Sequence, residues 1–411
     1  MVAFFLEATF IGLFFMGWER LNKVQHLVVT WLLAIGANLS ALWILIANGW
    51  MQYPVGATFN PDTMRMELTS FWELFFNPVA QEKFVHTVSA SYVTGAVFVM
   101  AISAYYVLKG RNLEFARRSM TVAASFGLAS ALSVVVLGDE SGYTLGENQK
   151  MKIAAIEAMW ETEPAPAGFT LFGIPDQEAR KTHMKVEIPA VLGLITTRSF
   201  HLPVAGISEL VAANRARIVV GLKAYAALER VRADRNDAVA RAEVAANWRD
   251  LGFALLLKRY RADVVNATPE EIDKAAWDTV PHVWPLFWSF RIMVGLGFIF
   301  IAYFAIAFYL ASRRKLLETR WMMIASLVLL PTPWIAAELG WIVAEYGRQP
   351  WVVDGILPTF LGVSNVPAEN VIASLIGFVV FYTALAVADA YLMTKYARLG
   401  PDGYFAKGAP S

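Results

Sequence analysis

Residues 284–311 read WPLFWSFRIMVGLGFIFIAYFAIAFYLA, and the only charged residue in this run is Arg291. A helix of about 20 apolar residues spans the ~30 Å hydrocarbon core of a bilayer, so the stretch predicts a transmembrane helix. The chain has 411 residues, is 57% hydrophobic and has a mean hydropathy of +0.47, which is too apolar for a water-soluble domain. We predict an all-α integral membrane protein with seven transmembrane helices. Six further stretches meet the same criterion: 1–18, 26–50, 84–108, 118–137, 321–346 and 371–394.

The overall charge and the absence of cysteine exclude several classes of function. The net charge is +1, which argues against a surface organised to bind a polyanion. The chain contains no Cys, so disulfides, thiolate catalysis, iron–sulfur clusters and cysteine zinc sites are excluded within it. No signal peptide with a basic leading region precedes the first apolar run.

The basic residues predict the orientation in the membrane. Loops after the first, third, fifth and seventh spans carry thirteen Lys and Arg residues, whereas the two short opposite loops, 51–83 and 347–370, carry three. The positive-inside rule places the first set of loops and the C-terminus in the cytoplasm. The thirteen are Arg20, Lys23, Lys109, Arg111, Arg117, Arg118, Arg313, Arg314, Lys315, Arg320, Lys395, Arg398 and Lys407.

One long segment differs in composition from the rest. Residues 139–282 hold 38 of the 69 charged residues, and stretches such as 211–232 combine Ala, Leu and charge at helical spacing. We predict a water-exposed, partly helical insert on the outer face. The chain then divides into four transmembrane helices (1–137, the first one short), the extracytoplasmic insert (138–283), three transmembrane helices (284–394) and a cytoplasmic tail (395–411).

Two polar side chains in the first spans suggest a proton path. Glu7 lies about 16 Å from the cytoplasmic end of its helix at ~1.5 Å rise per residue, and Ser40 lies at a comparable depth in the second span. An acid inside the membrane is costly and needs a reason. The alternative is a protonated Glu7 that is hydrogen-bonded to a neighbouring helix.

The sixth span carries four further candidates. Glu338, Trp341, Glu345 and Arg348 have offsets that place them on one face of a straight helix, which predicts either a cofactor with anionic groups or a simple Glu–Arg pair.

Two other residues suit a haem. His86 and Met293 lie in the outer halves of their spans, and His with Met is a known axial pair for an electron-transfer haem. An interface histidine and core packing of the methionine are the alternatives.

Several strings in the chain resemble a known family. They are EYGRQPW (345–351), GDESGY (138–143), PAPAGFTLFGIPD (164–176), NLSALWILIANGWMQYPVG (38–56) and KFVHT (83–87). Together they look like subunit I of cytochrome bd quinol oxidase, a bacterial terminal oxidase, over almost the whole chain to about Pro401. The insert length resembles the long-loop branch of that family.

The resemblance implies cofactors and their ligands. A low-spin haem b is expected on His86 and Met293, with Arg291 close to it. Glu345 is expected to ligate iron in the site that holds a high-spin haem b and a haem d. Trp341 and Arg348 match positions beside those haems.

The resemblance also implies the reaction. Lys152 and Glu157 match the quinol-oxidising loop, and Glu7 and Ser40 match the proton path. Quinol, either ubiquinol or menaquinol, would be oxidised outside, and O₂ would be reduced to water with generation of a proton gradient. Expected partners are subunit II and a small single-span subunit in the bacterial inner membrane.

The chain departs from the family pattern at its start. The family has nine transmembrane helices, and its first ~100 residues carry a haem-ligating His and a second proton-path Glu that have no match here. The chain therefore resembles a fragment or a mis-assigned start, and by itself it is not expected to be a competent oxidase.

Two other classes of function compete with this interpretation. A proton-coupled secondary transporter would use Glu7, Glu338 and Asp389, but it predicts inverted repeats that we do not find. A structural membrane anchor would leave the buried acids unexplained.

Overall fold

The computed structural model describes residues 2–18 and 20–408, and the side chains of Val2 and of residues 402–408 are not described. Residues 409–411 of the predicted tail lie outside the described residues. The described part of the chain is mostly helical, with short strand pairs on the segments between the membrane helices. The helices are α1 (Val2–Met16), α2 (Lys23–Gln52), α3 (Phe71–Phe75), α4 (Pro78–Leu108), α5 (Leu113–Asn148), α6 (Lys150–Ile156), α7 (Val191–Thr197), α8 (Ile207–Ala233), α9 (Ala238–Leu255), α10 (Pro269–Trp277), α11 (Val283–Ser312), α12 (Arg320–Val328), α13 (Thr332–Trp341) and α14 (Ala368–Gly408).

Three antiparallel strand pairs complete the described fold. They are β1 (Ala57–Asn60) with β2 (Arg65–Leu68), β3 (Phe169–Asp176) with β4 (Lys181–Ile188), and β5 (Trp351–Val353) with β6 (Leu357–Pro358). Short 3₁₀ helices lie at Leu256–Arg259, Val264–Asn266 and Thr359–Leu361, and a π-helical turn occupies Ile342–Tyr346.

Six of the seven predicted membrane spans are confirmed, and the first is shorter than predicted. Among the described residues, six helices are long and apolar enough to cross a membrane: Lys23–Gln52, Phe71–Leu108, Leu113–Asn148, Val283–Ser312, Arg320–Tyr346 and Ala368–Pro401. The first predicted span, 1–18, contains only α1, whose 15 residues reach about 22 Å at ~1.5 Å per residue.

Two span boundaries lie elsewhere than predicted, and one predicted span is interrupted. Helix α5 continues through the GDESGY string to Asn148, so the predicted insert at 138–283 starts inside a helix. Helix α14 continues past the predicted end at 394 to a kink at Gly400, whose φ is 73°. Span six is not one straight helix, because α12 and α13 are separated and α13 runs into the π turn.

Local sequence explains several of the helix ends. Asn22 and Gln25 form a capping box at the start of α2, which satisfies two backbone donors that the first helical turn leaves free. Thr268 and Glu271 do the same for α10, which also has Pro269 at its first position.

The chain divides into two compact units. The first comprises residues up to Ser91, Ser133–Gly295 and Ala336–Leu361. Its apolar core lies in the insert and includes Ile156, Ile207, Ile218, Leu228 and Leu257, all at most 3% exposed. The second comprises Tyr92–Leu132, Leu296–Ile335 and the chain from Gly362. There, Gly127 leaves room for the Phe304 ring, since a Cβ would come within 2.3 Å of it. All the predicted site residues belong to the first unit.

Candidate functional site

Glu345 lies in the π turn and is surrounded by donors from two other helices. Its Oε1 accepts hydrogen bonds from Asn48 Nδ2 (2.8 Å) and Gln52 Nε2 (3.1 Å), and its Oε2 accepts one from Arg348 Nη2 (2.5 Å). Lys83 Nζ lies 3.9 Å from Oε1 and donates to Asn48 Oδ1 at 2.8 Å. The Glu–Arg pair expected from the sequence is therefore present, and it belongs to a larger polar cluster.

Lys152 extends this cluster into the insert. Its buried ammonium, on α6, donates to Gln52 Oε1 (2.5 Å), Gln149 Oε1 (3.0 Å) and the carbonyl oxygen of Ala344 (3.0 Å). Gln52 thus touches both Lys152 and Glu345. Burial and, to a smaller extent, the nearby Lys83 hold the pKa of Lys152 well below its ordinary value, while Asp354 and Glu345 act in the opposite direction.

A cavity of about 220 Å³ lies beside Lys152. Its lining combines charged groups with two aromatic rings, and Lys152 is the one member of the predicted quinol pair that lines it. The principal lining residues are Gln149, Lys152, Asn214, Arg217, Phe253, Arg348, Trp351 and Asp354, with the exposed Glu147 and Lys150 completing the wall.

Glu157 directly follows α6 and faces a different environment. Its Oε2 accepts from Arg291 Nη2 (3.0 Å) and from the backbone N–H of Thr170 (3.2 Å). Both members of the ion pair are almost fully buried, at 6% and 3% exposure. Burial raises the pKa of the Glu157 carboxyl, and Arg291 opposes that shift.

Arg291 uses all of its donors within the protein. Besides Glu157, it donates to the carbonyl oxygens of Thr170 (2.9 and 2.5 Å), Ile156 (2.6 Å) and Phe287 (3.2 Å), which makes five hydrogen bonds for the five N–H groups of a guanidinium. Its carbon also lies 3.5 Å from the centre of the Phe287 ring. In this conformation Arg291 has no donor left for a propionate, and its role beside a haem stays a prediction.

His86 has a ring nitrogen without a partner, and glycines lie beside both His86 and Met293, the two proposed axial haem ligands. The Nδ1 atom of His86 is buried and has no hydrogen-bond partner, which is unusual for a buried polar atom unless it binds something else. Glycines face both side chains. A Cβ at Gly138 would lie 3.5 Å from His86 Cε1, and a Cβ at Gly340 would lie 3.1 Å from Met293 Sδ. Because neither glycine has a side chain, Gly138 and Gly340 leave the space beside His86 and Met293 that a planar haem would need.

Arg348 offers a second sign of a missing partner. Its Nε and Nη1 atoms are buried without a hydrogen-bond partner, while Nη2 binds Glu345. Because a buried donor without an acceptor is costly, an anionic group of a cofactor fits here. Trp341 is 40% exposed, and its position beside a haem stays a prediction.

The single-face alignment of span six is wrong. The prediction assumed 3.6 residues per turn from Glu338 to Arg348, but the π turn at Ile342–Tyr346 widens the helix there. Glu338 has an exposed side chain, whereas Glu345 and Arg348 point into the polar cluster.

Glu7 and Ser40 lie on helices that pack together. A Cβ at Gly36 would lie 3.2 Å from the backbone nitrogen of Glu7, so α1 and α2 are in close contact there. Ser40 follows Gly36 by one helical turn on the same face. Both side chains are partly exposed, and their proton-path role stays a prediction.

Sequence reasoning missed the residues that connect the site. Asn48, Gln52, Lys83, Gln149 and Asp354 were not singled out, although four of them contact Glu345 or Lys152 directly. A signal was available for two of them, because Asn48 and Gln52 are amides four residues apart at the outer end of a span. Such spacing places both on one helical face.

The transporter interpretation gains no support from the acids it requires. Glu338 and Asp389 are exposed on α13 and α14, and Glu7 lies on α1. None of the described hydrogen bonds or ion pairs joins these three carboxylates.

Comparisons with known proteins agree on one family. The family model described as "Cytochrome bd terminal oxidase subunit I" matches residues 1–401. The chain is 47% identical over 402 residues to the Escherichia coli (strain K12) protein "Cytochrome bd-II ubiquinol oxidase subunit 1", covering 98% of this chain and 78% of that one. It is 31% identical over 403 residues to the Bacillus subtilis (strain 168) protein "Cytochrome bd ubiquinol oxidase subunit 1", covering 98% and 74%.

A solved structure shares the fold. The bd oxidase from Geobacillus thermodenitrificans superposes with a TM-score of 0.73 at 24% identity, covering 97% of this chain and 76% of that chain. At this identity the likeness supports the fold and nothing finer.

Proposed function

This chain belongs to the cytochrome bd terminal oxidase subunit I family, and from that premise we propose that it oxidises quinol beside α6 on the outer face of the membrane. It is a multi-pass inner-membrane subunit of a terminal quinol oxidase, an enzyme complex with haem cofactors and a subunit II partner. The observation that carries the finer proposal is the buried ammonium of Lys152, which lines a cavity. It makes hydrogen bonds only to neutral oxygens.

Lys152 can bind a quinol oxygen by exchanging one acceptor for another. Its three partners are two side-chain amides and one backbone carbonyl, so no ion pair has to break when a substrate oxygen replaces one of them. Glu157, held by Arg291 and Thr170, is the proposed proton acceptor. The substrate is ubiquinol or menaquinol.

The remaining assignments place cofactors and proton uptake. His86 and Met293 would hold a low-spin haem b, and Glu345 would ligate a high-spin haem iron, with Trp341 and Arg348 beside it. When bound, the low-spin haem b, the high-spin haem b and the haem d supply one-electron transfer and the reduction of O₂ to water. Glu7 and Ser40 conduct protons from the cytoplasm, so that the reaction generates a proton gradient. A small single-span subunit joins the complex.

The test is quinol oxidation by the assembled complex. We expect Lys152→Ala and Glu157→Ala to slow the rate by about 10²-fold or more, while the haem absorption bands keep their positions and amplitudes, because neither residue is a proposed haem ligand. Lys274→Ala and Glu178→Ala are matched controls, since they remove exposed charges of the same insert. Wild-type rates in both site variants would move the quinol site away from α6.

A further inference from the structure

Asp354 lies at the tip of a short turn that is fixed from two sides. It joins β5 to β6, and its backbone N–H donates to the Met51 carbonyl oxygen at 2.9 Å. The next residue, Gly355, has a φ of 67°, which glycine adopts without strain. On the other side the turn touches the backbone of α9, since a Cβ at Gly252 would come within 2.6 Å of the Ile356 oxygen. The backbone at Asp354 is therefore held in place from both sides.

Three cations that line the same cavity act electrostatically on the Asp354 carboxylate. They are Lys152 on α6, Arg217 on α8 and Arg348 in the segment after the π turn. From α9, Asp250 is the nearby acid, and it is already bound to Arg217 Nε at 2.6 Å. Burial raises the pKa of the Asp354 carboxyl to about 6 in spite of these cations. A carboxylate with a pKa this close to neutrality suits proton exchange.

Quinol oxidation at Lys152 requires a second base besides Glu157, one that lines the cavity beside the ammonium. Each quinol releases two protons, one from each hydroxyl group. The three acceptors around Lys152 Nζ match the three N–H bonds of an ammonium, which has no lone pair to take up a proton. Glu157 does not line this cavity and is bound to Arg291.

We propose that Asp354 accepts the proton of the quinol hydroxyl group that Lys152 holds, and that the cavity conducts this proton to the outer surface. The O–H bond breaks, its proton binds to a carboxylate oxygen of Asp354, and the electrons pass to the oxidase as in the family's reaction. Glu147 and Lys150, which are exposed and line the same cavity, mark where the proton reaches water. Glu157 then serves the second hydroxyl group. This inference rests on the proposed function.

The experiment measures quinol oxidation by the assembled complex from about pH 5 to pH 8. Below about pH 6 the wild-type Asp354 carries a proton and cannot accept another, so the rate should fall as the pH is lowered through that range. Asp354→Asn should be slower by roughly tenfold or more at pH 7, with little change in KM, and should lose the acidic limb of the profile. Asp354→Glu should restore the limb. Asp62→Asn, which removes an exposed aspartate of the β1–β2 hairpin, should match wild type.

An infrared measurement gives a readout independent of turnover. Titration of the protein between about pH 5 and pH 7 should show a protonated-carboxyl band that disappears in Asp354→Asn and shifts in Asp354→Glu. If Asp354→Asn does not assemble, the Asp354→Glu band and pH limb decide the matter, because that variant keeps a carboxyl group in the same turn. Unchanged pH profiles and bands in the Asp354 variants, with Lys152→Ala still inactive, overturn this inference alone. Wild-type rates in Lys152→Ala overturn the proposed function itself.

Discussion

The two ends of the seven-residue helix α6 hold two buried charges in contrasting ways. At its start, Lys152 bonds to neutral oxygens beside a cavity, and Gln52 links it to Glu345. Just past its end, Glu157 forms a closed ion pair with Arg291, whose guanidinium packs on the Phe287 ring. Side chains five residues apart on an α-helix point about 140° away from each other around the helix axis. Lys152 and Glu157 therefore project from different sides of α6.

The contrast separates a group that can exchange partners from one that is fixed. Each charge of a buried ion pair has lost its hydration and is stabilised by its partner. Removal of that partner leaves an uncompensated buried charge and strongly destabilises the fold. An ammonium bound to amide oxygens can accept a substrate oxygen in place of any one of them. Each end also approaches a different proposed iron ligand: Glu345 on the Lys152 side, and Met293, two residues beyond Arg291, on the Glu157 side.

The largest expected effect tests whether the Glu157 end serves the low-spin haem. Met293→Leu should remove the low-spin haem signal from the visible absorption spectrum, because loss of an axial ligand changes the spin state. His86→Ala should do the same. The high-spin bands assigned to the Lys152 end should remain in both variants. An unchanged low-spin spectrum in His86→Ala would show that the ligand assignment is wrong, with His282 as the next candidate.

The next effect tests whether the ion pair is fixed. Arg291→Ala leaves the buried Glu157 without its cation and should destabilise the folded protein by about 3–5 kcal/mol, measured as a lower thermal unfolding midpoint in detergent. The double variant Arg291→Leu with Glu157→Leu should recover most of that stability, because an apolar pair of similar volume carries no desolvation cost. If Arg291→Ala is as stable as wild type, the ion pair is not fixed, and the two ends of α6 do not differ in this way.

The smallest effect tests Gln52, which links Lys152 to Glu345 at the start of α6. Gln52→Leu deprives Lys152 of one acceptor and Glu345 of one donor, at a cost of about 1–3 kcal/mol. We expect a higher KM for quinol and a shift of the high-spin bands, with the low-spin band unchanged. Asn38→Leu is the control, since its amide bonds only to the backbone of the same helix. A low-spin shift in Gln52→Leu would mean that the two ends are coupled.

Much of the fold could be read from local composition. Apolar length predicted the six long membrane helices, since a span needs about 20 such residues wherever they occur. Charge density identified the insert that carries α6. Spacing also predicted the Glu345–Arg348 pair, because residues three apart on a helix are neighbours. The same reasoning failed for the shared face of Glu338 and Arg348, because the π turn between them changes the helical period.

The sequence by itself therefore determined the transmembrane helical architecture, and its motifs pointed to the family. Only the tertiary structure decided which charges meet. Lys152 and Gln52 lie 100 positions apart, and Arg291 and Glu157 lie 134 apart. The family resemblance placed Arg291 close to a haem, and Asp354 was not noticed at all. Periodicity fixes which face of a helix a residue occupies, but it carries no information on which other helix or turn packs against that face. Such partners depend on the packing of the whole unit.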